Sequence, residues 1–333
     1  MDRRNFVALM GGALAAPLAL AQVPAGKRTL GILNPHPAPT PEQNARSANL
    51  AFLRKQGWIE GQNLVIERAY GGGREDRLPE LAADLVRKHV DVIWANGPEA
   101  AIAAARATTT IPIVFWGVAF PVETGLIDSL ARPGRNATGM AYFTGVEIAT
   151  KLLQFIREIA PGLRRLSGIS VPTTIRTVAG GEFTAATDIF DSAARAMGFE
   201  FQRHRVSQRD EFEAAYAAIL KSRAQAVIIS ANTLTWREMP GIVEFTNRNR
   251  LISMFNAKDY VNAGGLISYG PDIQATVLAT YAYVEKILRG AKPSDLPVEQ
   301  PSRYELAVNL KTAKILGLKI PQAILIRADR VVE

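Results

Sequence analysis

Cysteine is absent from the 333-residue sequence, which excludes a disulfide framework, a thiolate metal site and a cysteine-borne lipid anchor. Histidine is scarce. His36, His89 and His204 lie far apart and have no metal-ligand spacing. His89 ends a predicted helix and His204 sits among arginines, so both read as surface residues, whereas His36 follows the first strand in "LNPHPAP". No charge of one sign is concentrated anywhere: the formal +8 comes from scattered Lys and Arg, without the dense basic patch that nucleic-acid binding needs. Signatures of catalysis are missing too. "GISVP" around Ser170 lacks the second glycine of a nucleophile elbow, and "YGGGRED" has neither the P-loop lysine nor the G-x-G-x-x-G spacing. No cofactor or metal is expected.

What is there begins with an N-terminus unlike the rest. "MDRRNF" carries two arginines, then "VALMGGALAAPLALA" is apolar and small, ending in Ala19-Leu20-Ala21. A charged start, a short apolar core and an A-x-A site describe an export signal over residues 1–21, cleaved near Ala21-Gln22. The run is shorter than the roughly 20 residues of a membrane span, and no later segment approaches that length. Arg3-Arg4-Asn5-Phe6-Val7 is similar to a twin-arginine motif, so Sec and Tat routes both stay open. The expectation is a soluble periplasmic protein.

The remainder alternates strand and helix patterns. "RTLGIL", "NLVIERAY", "DVIWA", "IPIVFW" and "NATGMAY" read as strands, separated by helices over 41–57, 74–89, 98–107 and 122–130. Thr144-Gly145-Val146-Glu147 reads as a capping box opening a helix to Ala160. The alternation then restarts with "RRLSGISV", "FEFQRHRV", "AQAVIIS", "LISMF" and "GGLISYG". Helices are expected over 181–197, 208–221 and 234–249, with a short one before "GGLISYG" and a last one over 273–288. A Pro-rich connector and the strand-like "RYELAVNL" follow. Such alternation predicts an α/β fold of two Rossmann-like lobes with parallel sheets. Ligands of open α/β sheets sit beyond the carboxyl ends of the strands, here across a cleft. An exported two-lobed chain without catalytic groups suggests a binder.

Several stretches carry a family resemblance: "GQNLVIERAYGGGREDRLPELAADLV", "VDVIWANGPEAAIAA", "GLIDSLARPGRNATGM", "NAGGLISYGPD" and "LPVEQPSRYELAVNLKTAKILGLKIP". They resemble, in order and over nearly the whole mature chain, the tryptophan/tyrosine-type substrate-binding proteins of ABC transporters. The resemblance implies a type I periplasmic-binding-protein fold with a three-crossing hinge. The crossings are expected around Gly139–Gly162, before "GGLISYG" and near "LPVEQP". The first lobe would then comprise 28–145 plus about 266–298, and the second about 146–265 plus 299–333. It also implies a small-molecule ligand, a membrane permease and a cytoplasmic ATPase. A monomer without nucleic acid is expected.

The expected ligand contacts are the strand ends. The first lobe would offer Asn34, His36, Asn96, Gly97, Trp116 and Gly117; the second would offer Ser170, Thr173, Asn232, Thr233, Asn256 and Asp259, with Tyr269 closing one wall. Trp and Tyr suit a planar ligand body, and Asn, Ser and Thr would fix its polar head. The sequence departs from the family at Phe120, where an acid before "PV" is usual, at "SVPTT" where Asn-Pro pairs are common, and at Arg135 in "RPGRN". Phe120 cannot pair with an ammonium group, so an aromatic amino acid and another small organic molecule, anions included, both stay open. A sensory receptor serving a membrane sensor and an exported enzyme on this fold are the alternatives. No DNA-binding helix pair precedes the first strand, which excludes a two-lobed regulator.

Overall fold

Residues 26–142, 146–171, 174–184 and 189–333 are described by the computed structural model. The proposed export signal, and Thr144 and Gly145 of the expected capping box, lie outside that set. The first half of the chain builds β1 (Arg28–Asn34), α1 (Pro41–Ala45), α2 (Ala48–Lys55), β2 (Leu64–Tyr70), α3 (Leu78–Arg87), β3 (Val92–Asn96), α4 (Gly97–Ala107), β4 (Ile113–Val118) and β5 (Ala137–Ala141). These five strands pair in parallel in the order β2-β1-β3-β4-β5. Successive residues alternate faces. In β4, Ile113 and Phe115 join the core under α3 and α4, whereas Val114 joins the one with Trp58, Trp94 and Tyr281. Both faces are covered, which explains the unbroken apolar run of β3.

The chain continues through α5 (Val146–Ile159), β6 (Arg165–Ser170), β7 (Thr174–Arg176), β8 (Glu182–Thr184), α6 (Ile189–Ala196), β9 (Glu200–Arg205), α7 (Glu211–Lys221) and β10 (Ala226–Ile229). Then come α8 (Thr233–Arg237), α9 (Met239–Arg248), β11 (Ile252–Phe255), α10 (Lys258–Asn262), β12 (Ile267–Pro271) and α11 (Ile273–Leu288). It closes with β13 (Tyr304–Asn309), α12 (Leu310–Leu316), α13 (Gln322–Arg327) and β14 (Arg330–Val332). The second sheet has seven strands, β14-β13-β12-β11-β10-β6-β9, and β13 runs antiparallel to β12. Ile228 and Val227 of β10 face its two opposite cores.

Three chain crossings join the lobes. The first lies between β5 and α5, the second between Pro271 and Ile273, and the third just before β13. At the third, Glu299 pairs with β5 through Ala141 N–H to Glu299 O at 2.9 Å and Glu299 N–H to Gly139 O at 3.1 Å. The second crossing corrects the sequence reading: β12, which carries "LISYG", pairs with β11 and β13 in the second sheet, and the chain returns only afterwards, with α11. The reason is register. Ile267 and Leu266 are fully buried in the second lobe's core, so releasing this strand to the first lobe would expose them.

Four helix expectations change. The segment 122–130 forms turns, because Gly125 takes φ +76° and ends a single turn begun at Pro121. Helix α6 starts only at Ile189; the residues before it include the β7–β8 hairpin, built from Thr174, Ile175, Phe183 and Thr184 around Gly180-Gly181. The helix over 234–249 splits at Glu238, where Pro240 opens α9, and that over 41–57 splits where Ser47 caps α2. The elements α12, α13 and β14 extend the second lobe beyond the last predicted strand.

Candidate functional site: the facing strand ends

The carboxyl ends of the two sheets meet. Tyr142, the residue after β5, touches both sides: its ring lies 6.4 Å from that of Trp116 at the end of β4, and its hydroxyl accepts from Asn256 Nδ2 at 3.4 Å, just beyond β11. Burial, with Tyr304 and Tyr260 nearby, pushes the Tyr142 phenol far above its usual value, so it stays a neutral hydrogen-bonding group.

On the first lobe, Asn34 and Asn96 are paired across neighbouring strand ends. Asn96 Nδ2 donates to Asn34 Oδ1 at 3.1 Å, and His36 N–H donates to the same oxygen at 3.0 Å. That fixes the Asn34 carbonyl, and no described residue accepts from its NH2 group. Gly97 and Gly117 adopt φ of +85° and +81°, and a Cβ added to Gly117 would stand 4.0 Å from Gly97 Cα. Two loops therefore approach with backbone where side chains would otherwise fill the rim. Trp116 Nε1 donates to Thr276 Oγ1 on α11 at 3.4 Å. A cavity of about 580 Å³ lies within the first lobe, lined by Asn34, Ser47, Tyr70, Trp94, Gln274 and Tyr281 among others, and of the expected contact residues only Asn34 lines it. This size suits one small organic molecule.

Sequence reasoning missed Glu99, in the first turn of α4 two residues after Gly97. It is half-buried, and among the described residues no cation lies against it. Burial, together with nearby Glu75, raises its carboxyl to about 7. Its signal was legible as the one acid in "NGPEAAIAA". Tyr142 was equally visible as the last letter of "NATGMAY". His36 lies at the same rim. Partial desolvation and then Arg237, an exposed residue of α8 on the other lobe, hold its imidazole below the usual value.

The second lobe's expected contacts are largely engaged internally. Asn232 caps α8, its Oδ1 accepting from Leu234 N–H at 2.9 Å and Thr235 N–H at 3.0 Å. Asn256 Oδ1 accepts from Ala231 N–H at 2.6 Å, leaving only its amide nitrogen for Tyr142. Ser170 ends β6 with a buried hydroxyl that has no hydrogen-bond partner among the described residues. Asp259 sits half-buried in the first turn of α10, and Thr233 opens α8. Thr173 lies outside the described residues. Tyr269 stacks on Tyr304 at 5.6 Å and meets Phe155 of α5 in a tilted contact at 5.4 Å, which places its ring in the packing of the second lobe.

Among the described residues no group of three or more His, Asp or Glu is placed to hold a metal ion, and no helix is long and apolar enough to cross a membrane. A family model described as ABC transporter substrate binding protein matches residues 44–332. The chain belongs to that family. A tyrosine-binding protein of Clostridioides difficile is 22% identical over 275 residues, covering 83% of this chain and 77% of the relative. Among solved structures, a Streptococcus pneumonia ABC domain in complex with L-Trp superposes at a TM-score of 0.79 with 21% identity, over 92% of this chain and 100% of the other. A ligand-free, open substrate-binding protein of Clostridium difficile gives 0.68 with 22% identity, over 92% and 99%. These likenesses establish the type I periplasmic-binding-protein fold. As a substrate-binding protein of an ABC transporter family, the chain binds small ligands and does not belong to an enzyme family.

Proposed function

We propose that this substrate-binding protein captures a small molecule with an aromatic body between its lobes, outside the cytoplasm, and delivers it to an ABC importer's permease and ATPase. The observation that carries the reading is the array at the first lobe's strand ends. Trp116 offers a flat surface at the rim, and Asn34, whose NH2 group no described residue engages, links that rim to a first-lobe cavity that Tyr70 also lines. Tyr142 and Asn256 join this array to the second lobe, so a ligand contacting both sides would favour the closed arrangement.

Glu99 favours an aromatic amino acid within that class. Among the described residues no cation lies against its carboxyl, and a ligand ammonium would supply one. The tyrosine and tryptophan in the names of the relatives agree with this choice. Native mass spectrometry of freshly purified protein tests the proposal. The expected spectrum contains a one-to-one complex with an aromatic amino acid, or gains one on adding L-tyrosine, L-phenylalanine or L-tryptophan. A co-purified sugar or aliphatic ligand would refute it.

A further inference from the structure

The β7–β8 hairpin leaves the second lobe after β6 and rejoins it at α6, yet its side chains pack into the first lobe. Ile175 is 6% exposed and belongs to the core formed by β3, β4 and α4, and Val178 packs against the same core. Phe183 meets Phe120, with ring centroids 5.2 Å apart. Two backbone links complete the seam: Val178 N–H donates to Thr124 O at 2.9 Å, and Arg106 Nη2 donates to Thr177 O at 2.6 Å.

The docking site exists because the first lobe lacks a helix between β4 and β5. Residues 122–130 form turns that leave Leu126, Ile127 and Phe115 in need of cover, and the hairpin helps to provide it. A segment owned by one lobe thus seals the other. Rotation of the lobes apart about the three crossings must either carry the docked hairpin away from β6 or strip Ile175, Val178 and Phe183 from their seats.

We propose that the hairpin is a latch between the lobes, and that its release from the first lobe is the step that lets the cleft open. The latch concerns how the lobes separate and needs no identified ligand, so it can fail without the capture reading failing, and the reverse.

The test begins with Val178→Asp combined with Phe183→Ser, which places a charge in the seam and removes the ring contact. Small-angle scattering without ligand should show a larger radius of gyration than wild type, with helical circular dichroism retained. An unchanged radius in a folded variant overturns the proposal.

A second variant decides the matter if the first fails to fold. A Cβ built on Gly125 stands 3.8 Å from Val178 Cβ, within disulfide range. In this cysteine-free chain Gly125→Cys and Val178→Cys can bond only to each other within one molecule. In a Trp236→Phe background, which leaves Trp116 as the half-exposed tryptophan, oxidation should lock the hairpin down and lower acrylamide quenching of tryptophan fluorescence, and reduction should restore it. Equal quenching in the two states contradicts the latch, and so does failure of the two thiols to bond.

Discussion

The two rims of the cleft are made of similar residues used in opposite ways. On the first lobe, Asn34 and Asn96 hold each other and two glycines draw the backbone close; among the described residues nothing accepts from the Asn34 NH2 group and no cation lies against the Glu99 carboxyl. On the second lobe, Asn232 is consumed by capping α8 and Asn256 by Ala231 and Tyr142. An open rim can recognise; an engaged rim is pre-organised to cover. The difference teaches that polar residues at strand ends are not equivalent, and that the bonds each has already made decide which can meet a ligand.

The largest expected effect comes from the open rim. Trp116→Ala should weaken ligand binding by about 2 kcal/mol, or roughly 30-fold, in calorimetric titration. Its fold should survive, because Trp116 is only half-buried.

Glu99→Gln comes next and has a signed pH dependence. Burial holds the folded carboxyl at about 7, above its ordinary 4.5, so between those values the folded chain keeps a proton that the unfolded chain has released. Stability contributed by this group is therefore present below about 4.5 and lost as pH rises through about 7. The glutamine variant should melt higher than wild type at pH 8, by about 1–3 kcal/mol in stability, with the gap closing at pH 4.5. Binding of an amino acid should weaken in the same variant, whereas its des-amino analogue should bind as before.

Asn232→Ala sharpens the comparison from the other side. Loss of the cap should cost about 1 kcal/mol of stability in denaturant titration while leaving affinity unchanged. Tyr142→Phe should be the mildest, below about 1 kcal/mol in affinity, since its one inter-lobe hydrogen bond is long.

Much of this architecture was legible in the sequence. Strands such as "DVIWA" and "LISMF" are continuous apolar runs that only a doubly covered parallel sheet accommodates, and α11 was read with its observed bounds, Ile273–Leu288. The failures share a cause: tertiary cover overrode local pattern. Residues 181–197 looked helical because the second half is, but Phe183 is held in a strand paired with Ile175 and packed on Phe120 of the first lobe, a contact no local period encodes. Likewise "LISYG" keeps β12 in the second sheet through pairing with the distant β13. At the site, Asn34, Asn96, Trp116 and Asn256 fall at strand ends as their positions suggested. Whether an asparagine caps a helix or faces a cleft depended on neighbours such as Ala231 and Thr235, which sequence distance alone could not weigh.

In the proposed function, recognition resides on the first lobe's rim. Calorimetric titration of wild type, Trp116→Ala and Asn232→Ala with the ligand that native mass spectrometry identifies tests it most directly. The account predicts one-to-one binding that collapses in Trp116→Ala and persists in Asn232→Ala. Loss of affinity in Asn232→Ala with Trp116→Ala unaffected would contradict it.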